Sequence, residues 1–139
     1  LDTLHCFPER PEPICPSDVP PNVRSAYLSG LRNLRSSDDA NAAAMMFRRA
    51  IELAVKNLIP NSKPGDKLAK LVGELSDDYA TPAMKEWAHH VRLDANEAAH
   101  GPEDFSEADA KTLRTFAEMF LTYAFTLPEM LKRAKGETA

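Results

Sequence analysis

From Val23 to Leu127 apolar residues recur every three or four positions, and no stretch alternates with period two over a useful length. A strand sends successive side chains to opposite faces, whereas a helix brings i, i+3 and i+4 together. The pattern therefore disfavours a sheet and predicts an all-α bundle of about five helices. The first helix carries Val23, Tyr27, Leu28, Leu31 and Leu34 at helical spacing. Ser36, Ser37, Asp38 and Asp39 form a capping cluster before the second. That helix shows Ala43, Met46, Phe47, Ala50, Ala54 and Leu58 on one face. Pro60, Asn61, Pro64 and Gly65 force a loop, and Leu68, Leu71, Val72 and Leu75 make a short third helix.

Thr81-Pro82 pairs an N-cap with a proline at the first helical position. A fourth helix is expected to run from there to the stop at Gly101-Pro102, with Met84, Trp87, Ala88, Val91, Ala95 and Ala98 on its apolar side. Ser106 and Asp109 have capping-box spacing and open the last helix. Its apolar strip is Leu113, Phe116, Ala117, Phe120, Leu121, Ala124 and Leu127. Met119, Tyr123 and Met130 make a second strip beside it, suited to a wider core contact or to another subunit. Pro128 should kink or break this helix, and the charged chain beyond Lys132 should fray.

Residues 1–21 hold six prolines, Pro8, Pro11, Pro13, Pro16, Pro20 and Pro21. Proline fixes φ and removes a donor, so this part reads as an extended arm or linker, with the helical domain spanning 22–135. Leu1 is not an initiator methionine, so the chain reads as a fragment. The net charge of -4 argues against a nucleic-acid binder that works through a broad basic surface. No secretory signal is present, and the run Phe116–Leu127, broken by Glu118 and two threonines, is shorter than the roughly 20 apolar residues a bilayer span needs. A cytoplasmic protein without membrane contact is expected. Cys6 and Cys15 lie in the arm and allow a disulfide. With His5 they supply three metal ligands in loose spacing, one short of a structural zinc site. No metal and no cofactor are therefore expected.

One constellation suggests chemistry. Arg92, Asn96 and His100 fall four residues apart near the end of the expected fourth helix, opposite its apolar strip. Histidine titrates near neutral pH and can exchange a proton in catalysis. Arg92 would offer a cation to a phosphate, and Asn96 a neutral donor. Each also has a structural reading. His100 suits a helix C-terminus, and a helical asparagine commonly bonds a neighbour. His89 reads as part of a solvated face. Arg49 and Glu52 on the second helix are a supporting set, either a surface pair or an internal brace for the fourth helix; Arg48 is also within pairing distance of Glu52.

The stretch Ala42-Ala43-Ala44-Met45-Met46-Phe47-Arg48-Arg49-Ala50-Ile51-Glu52 resembles the first signature of a bacterial domain-of-unknown-function family, number 4145. Trp87 to His100 resembles its second signature, and the Asp18-Val19-Pro20 lead and the Leu127-Pro128 ending also look like it. The resemblance runs from Asp18 to about Arg133. It implies a member of a family found alone or attached to restriction-type enzyme subunits, sometimes behind a zinc-ribbon-like segment. That family is similar to the broader HEPN group, many of whose members are dimeric, metal-independent ribonucleases with an Arg and a His at a shared cleft. Asn96, His100 and Gly101 fit the latter half of the HEPN motif. Ala95 stands at the usual Arg place, and Arg92 lies one turn earlier.

The resulting expectation is a non-catalytic helical accessory domain linked to nucleic-acid or defence systems. It would form a homodimer through the last helix or the polar face of the fourth, with RNA or a protein as a further partner. The alternative is a metal-independent ribonuclease with His100 as acid–base, Arg92 as phosphate ligand and Asn96 as donor.

Overall fold

The computed structural model describes residues 14–37, 39–61, 67–91, 93 and 105–136. Within them the chain forms helices and no strand: α1 (Pro21–Arg32), α2 (Ala40–Leu58), α3 (Leu68–Gly73), α4 (Pro82–Ala88), α5 (Glu107–Leu121) and α6 (Leu127–Ala134). A π-helical turn at Asn33–Ser37 extends α1, and another at Thr122–Thr126 carries α5 into α6. Taken as one rod, α5 and α6 bring the count among the described residues to five, the all-α bundle that the periodicity predicts.

The caps explain where the elements begin. Asp39 Oδ1 accepts from Ala42 N–H at 3.0 Å and starts α2. Thr81 Oγ1 accepts from Met84 N–H at 3.1 Å and starts α4. Ser106 and Asp109 close a full capping box at α5, each side chain taking the other residue's N–H at 3.0 Å. Such caps satisfy donors that the first helical turn leaves open.

Helix α2 is the axis of the domain and packs against both α1 and α5. Ala43, Phe47, Ala50 and Ala54 make one buried stripe, and Ala44, Ile51 and Val55 a second about 100° further round. The single apolar face expected for this helix is therefore widened, because neighbours cover it on two sides. Four of these seven residues are alanines, which let the partner helices approach closely. Tyr27 of α1 meets Phe47 edge-to-face at 5.6 Å. Trp87 of α4 meets Phe116 of α5 in the same way at 5.3 Å. Leu68, Leu71, Val72 and Leu75 are all buried.

Pro128 neither breaks the last helix nor stops it. The N–H of Leu127 reaches back five residues to the carbonyl of Thr122, so the widened turn ends immediately before the proline. A proline cannot donate to the carbonyl four residues back, and its ring clashes there in a regular helix. The chain accommodates it by this change of register. The fraying expected beyond Lys132 is also absent up to Ala134, where α6 ends. Arg133 is held by a two-pronged ion pair to Asp18, at 3.3 and 3.2 Å, and Thr126 Oγ1 donates to the Ser17 carbonyl at 2.6 Å.

These contacts pin residues 14–20 along the helical body, so this part of the Pro-rich segment is a strap and not a free linker. Cys15 lies buried in it as a free thiol. His5 and Cys6, the other groups considered for metal or a disulfide, lie outside the described residues. Burial pushes the Cys15 thiol up to about 11 from an ordinary 9.0. The folded state thus favours the protonated thiol. This contribution to stability is complete below pH about 9 and is lost as the pH rises towards about 11. In a Cys6→Ser chain at neutral pH, Cys15 should react with a thiol reagent at least about tenfold more slowly folded than unfolded. Equal rates in the two states would refute this placement.

Candidate functional site

Helix α4 stops at Ala88, twelve residues short of His100, which corrects the expectation of one helix from Pro82 to Gly101. Tight turns follow it at the described residues 89–91 and 93. His89 N–H bonds Glu86 O at 3.1 Å, His90 N–H bonds Trp87 O at 2.8 Å, and Leu93 N–H bonds Val91 O at 2.8 Å. The physical reason lies in Val91 and Leu93, which are 6% and 0% exposed. Two positions apart, they would lie about 200° apart on a continuous helix and could not face one core. The chain leaves the helix and buries both. His89 and His90 are exposed at this turn. Arg92, Asn96 and His100 lie outside the described residues.

Both ends of the stretch from Leu93 to Phe105, which carries Asn96 and His100, are tied to α2. Arg48 Nε donates to the Leu93 carbonyl. Asn41 Oδ1 accepts from the Phe105 N–H at 3.1 Å. Asn41 and Arg48 are seven residues apart, two helical turns, so they share one face of α2 about 10 Å apart along its axis. Arg49 and Glu52 sit elsewhere. They pair with each other at 3.2 Å, with side chains 52% and 36% exposed. The anchoring contact to the fourth-helix region is made by Arg48, one position earlier. Sequence inspection missed Arg48 and Asn41 as a set. The available signal was two polar side chains at i and i+7 beside an alanine-rich core face.

A second feature is an open groove of ≈ 820 Å³ between α4 and the α5–α6 rod. Ala83, Met84 and Trp87 form one wall; Met119, Thr122, Tyr123 and Leu127 form the other. Thr81 also lines it, and Glu118 is the single charged lining residue. The walls are set by polar contacts outside the groove. Tyr123 Oη donates to the Asp77 carbonyl at 3.0 Å, and Lys85 Nζ pairs with the Asp77 carboxylate at 2.8 Å. Met119 and Leu127 are 45% and 46% exposed, so the groove is apolar and uncovered. Met119 belongs to the second apolar strip that the sequence marks, whereas Leu127, which its spacing places on the core strip, is half exposed because the π-helical turn at Thr122–Thr126 shifts the register before it.

Among the described residues no group of three or more His, Cys, Asp or Glu side chains is placed to hold a metal ion, and no helix is long and apolar enough to cross a membrane. Neither a curated protein nor a solved structure matches the chain. A family model matches residues 31–136, which takes in α2 to α6, the groove and the whole stretch from Trp87 to His100. The chain belongs to the family DUF4145, a domain of unknown function.

Proposed function

We propose that the chain is a helical interaction domain, non-catalytic and accessory to nucleic-acid or defence systems, whose working surface is the groove between α4 and α5. The supporting observation is the uncovered apolar lining of that groove on an otherwise well-packed domain. Exposed apolar residues that gather in one concave patch mark binding surfaces. The volume of the groove and its Met, Trp and Tyr lining suit an amphipathic helix laid into it. The HEPN-like assignment rests on the all-α architecture together with the Asn96–Gly101 resemblance. Trp87 is the single tryptophan of the chain and lines the groove, so it reports occupancy directly. Titrating a panel of amphipathic helical peptides into dilute protein should give a saturable shift of Trp87 emission that Met119→Lys removes. Flat titrations across the panel would defeat this reading.

A second reading is the metal-independent ribonuclease. It draws on the anchoring of Leu93 and Phe105 to one face of α2, which holds both ends of the stretch carrying Asn96 and His100. RNA cleavage without added metal separates the two. The interaction domain predicts no cleavage by the parent chain or by His100→Ala. Cleavage by the parent that His100→Ala abolishes would establish the enzyme.

A further inference from the structure

We infer that the occupant of the groove is a basic amphipathic helix, one whose apolar stripe is flanked by Lys or Arg at both ends of the contact. The inference rests on the groove being the working surface, as proposed above, and names the chemistry of its partner. Met84, Trp87, Met119 and Tyr123 set the apolar part of the contact. Along the rod the groove wall runs from Glu118 to Leu127, on the order of 12 Å, so two to three turns of a partner helix fill it. The apolar surface continues past that point. Leu127 is also the first residue of α6. Leu127, Met130 and Leu131 fall within about 100° of that helix's circumference and are 46%, 51% and 56% exposed.

The charges around this apolar floor are of one sign. Glu118 is the one charged group of the lining. Glu86 is exposed on α4, next to Trp87 and about 60° round the helix from Ala83, both of which line the groove. Helices α4 and α5 run antiparallel, since Trp87 meets Phe116 while Tyr123 reaches Asp77. Glu86 and Glu118 therefore flank the same end of the groove, the Trp87 end. At the other end the peptide that joins Asp77 to Asp78 accepts from Tyr123 Oη at 3.0 Å, which sets the exposed Asp78 there. Among the described residues none of Glu86, Glu118 and Asp78 makes an ion pair. The cations of the same helices are engaged elsewhere. Lys85 pairs with Asp77, Lys111 with Glu107, Lys132 with Glu129 and Arg133 with Asp18. Arg114, one turn before Glu118, makes no ion pair with it and buries its Nε. A purely apolar partner would strip water from Glu118 with no compensation, so the occupant has to supply the cation. Lysine and arginine suit this edge, because their aliphatic stems lie along apolar surface while the charged head reaches the carboxylate. The same carboxylates repel an anionic membrane or a nucleic acid at this face.

The test titrates synthetic helical peptides into the dilute chain and follows Trp87 emission. Two peptides share one leucine stripe at i, i+3, i+4 and i+7; one carries lysine at the flanking positions and the other glutamate. The lysine peptide should bind about tenfold tighter or more, since each contact changes from attraction to repulsion. The margin should collapse in about 1 M salt, where the Debye length falls to ~3 Å. It should vanish or reverse in the double variant Glu86→Lys, Glu118→Lys, whose two exposed positions leave the core untouched. A lysine peptide with serine in place of the leucine stripe should not saturate. Equal affinities for the two leucine peptides, a preference for glutamate, or a margin that the double variant leaves unchanged would overturn the inference while the interaction-domain reading stands. Saturation by the serine peptide overturns it too, because the carboxylates then act without the groove. A Trp87 shift on diluting the parent chain alone gives the groove to a second copy, with the same consequence. Flat titrations with every peptide defeat both readings.

Discussion

Gly30→Ala is expected to lower the stability of the domain by ~1–3 kcal/mol, the usual cost of forcing a carbon into a filled core. The substitution tests a close approach of α1 to α2. Gly30 is buried in α1, where alanine is the better helix former by about 1 kcal/mol. Helix propensity alone therefore predicts a gain. A β-carbon at this position would lie 2.6 Å from Cε1 and 2.7 Å from Cδ1 of Phe47. Phe47 is 0% exposed and packed against Tyr27, so its ring has no free volume to enter. The clash outweighs the propensity. In a domain of this size each kcal/mol moves Tm by roughly 3–4 °C, so a fall on the order of 3–10 °C should be seen in thermal denaturation. In Phe47→Leu the same Gly30→Ala change should cost less, because the smaller side chain leaves room, a non-additivity expected of residues in contact. An unchanged or raised Tm for Gly30→Ala in the parent chain would mean that α1 and α2 do not meet as described.

The second large effect separates two adjacent arginines. Arg48→Met should destabilise by ~1–3 kcal/mol, the penalty for leaving a buried acceptor unsatisfied. Arg49→Met should stay within about 0.5 kcal/mol, as expected for a solvent-screened surface pair. Leu93 is 0% exposed, and Arg48 is the partner of its carbonyl among the described residues. Methionine keeps much of the side-chain bulk, so the difference reports the lost bond and not a cavity. Arg49 faces solvent and pairs with Glu52 three residues on. Chemical denaturation of the two variants beside the parent decides the matter. Equal losses, or a larger loss at Arg49, would contradict the assignment of the anchor to Arg48.

Much of the fold is legible in the sequence because helices announce themselves locally. Thr81-Pro82 and the Ser106–Asp109 box start helices where they stand, since caps act within one turn. The repeat of apolar residues along α1, α2 and α5 is likewise a property of each segment. The end of α4 is not legible in the same way. Trp87 to His100 keeps a passable helical pattern, yet burial of both Val91 and Leu93 ends the helix at Ala88. Leu93 has an obvious apolar side chain, but its distance from the Val91 face counts only once α2 supplies a core and an anchor for it.

What the sequence by itself determined is the class of the fold and the caps and periodic faces of its helices, for these depend on neighbours three or four residues away. The tertiary structure decided which polar side chains do the anchoring, and which apolar ones stay uncovered. Arg48 reaches a carbonyl 45 positions along the chain, and Asn41 an amide 64 positions along, while Arg49 turns to water. The α6 strip looks like core in one dimension. Only the packing of α4 against α5 leaves it exposed beside a groove, because no element among the described residues covers it.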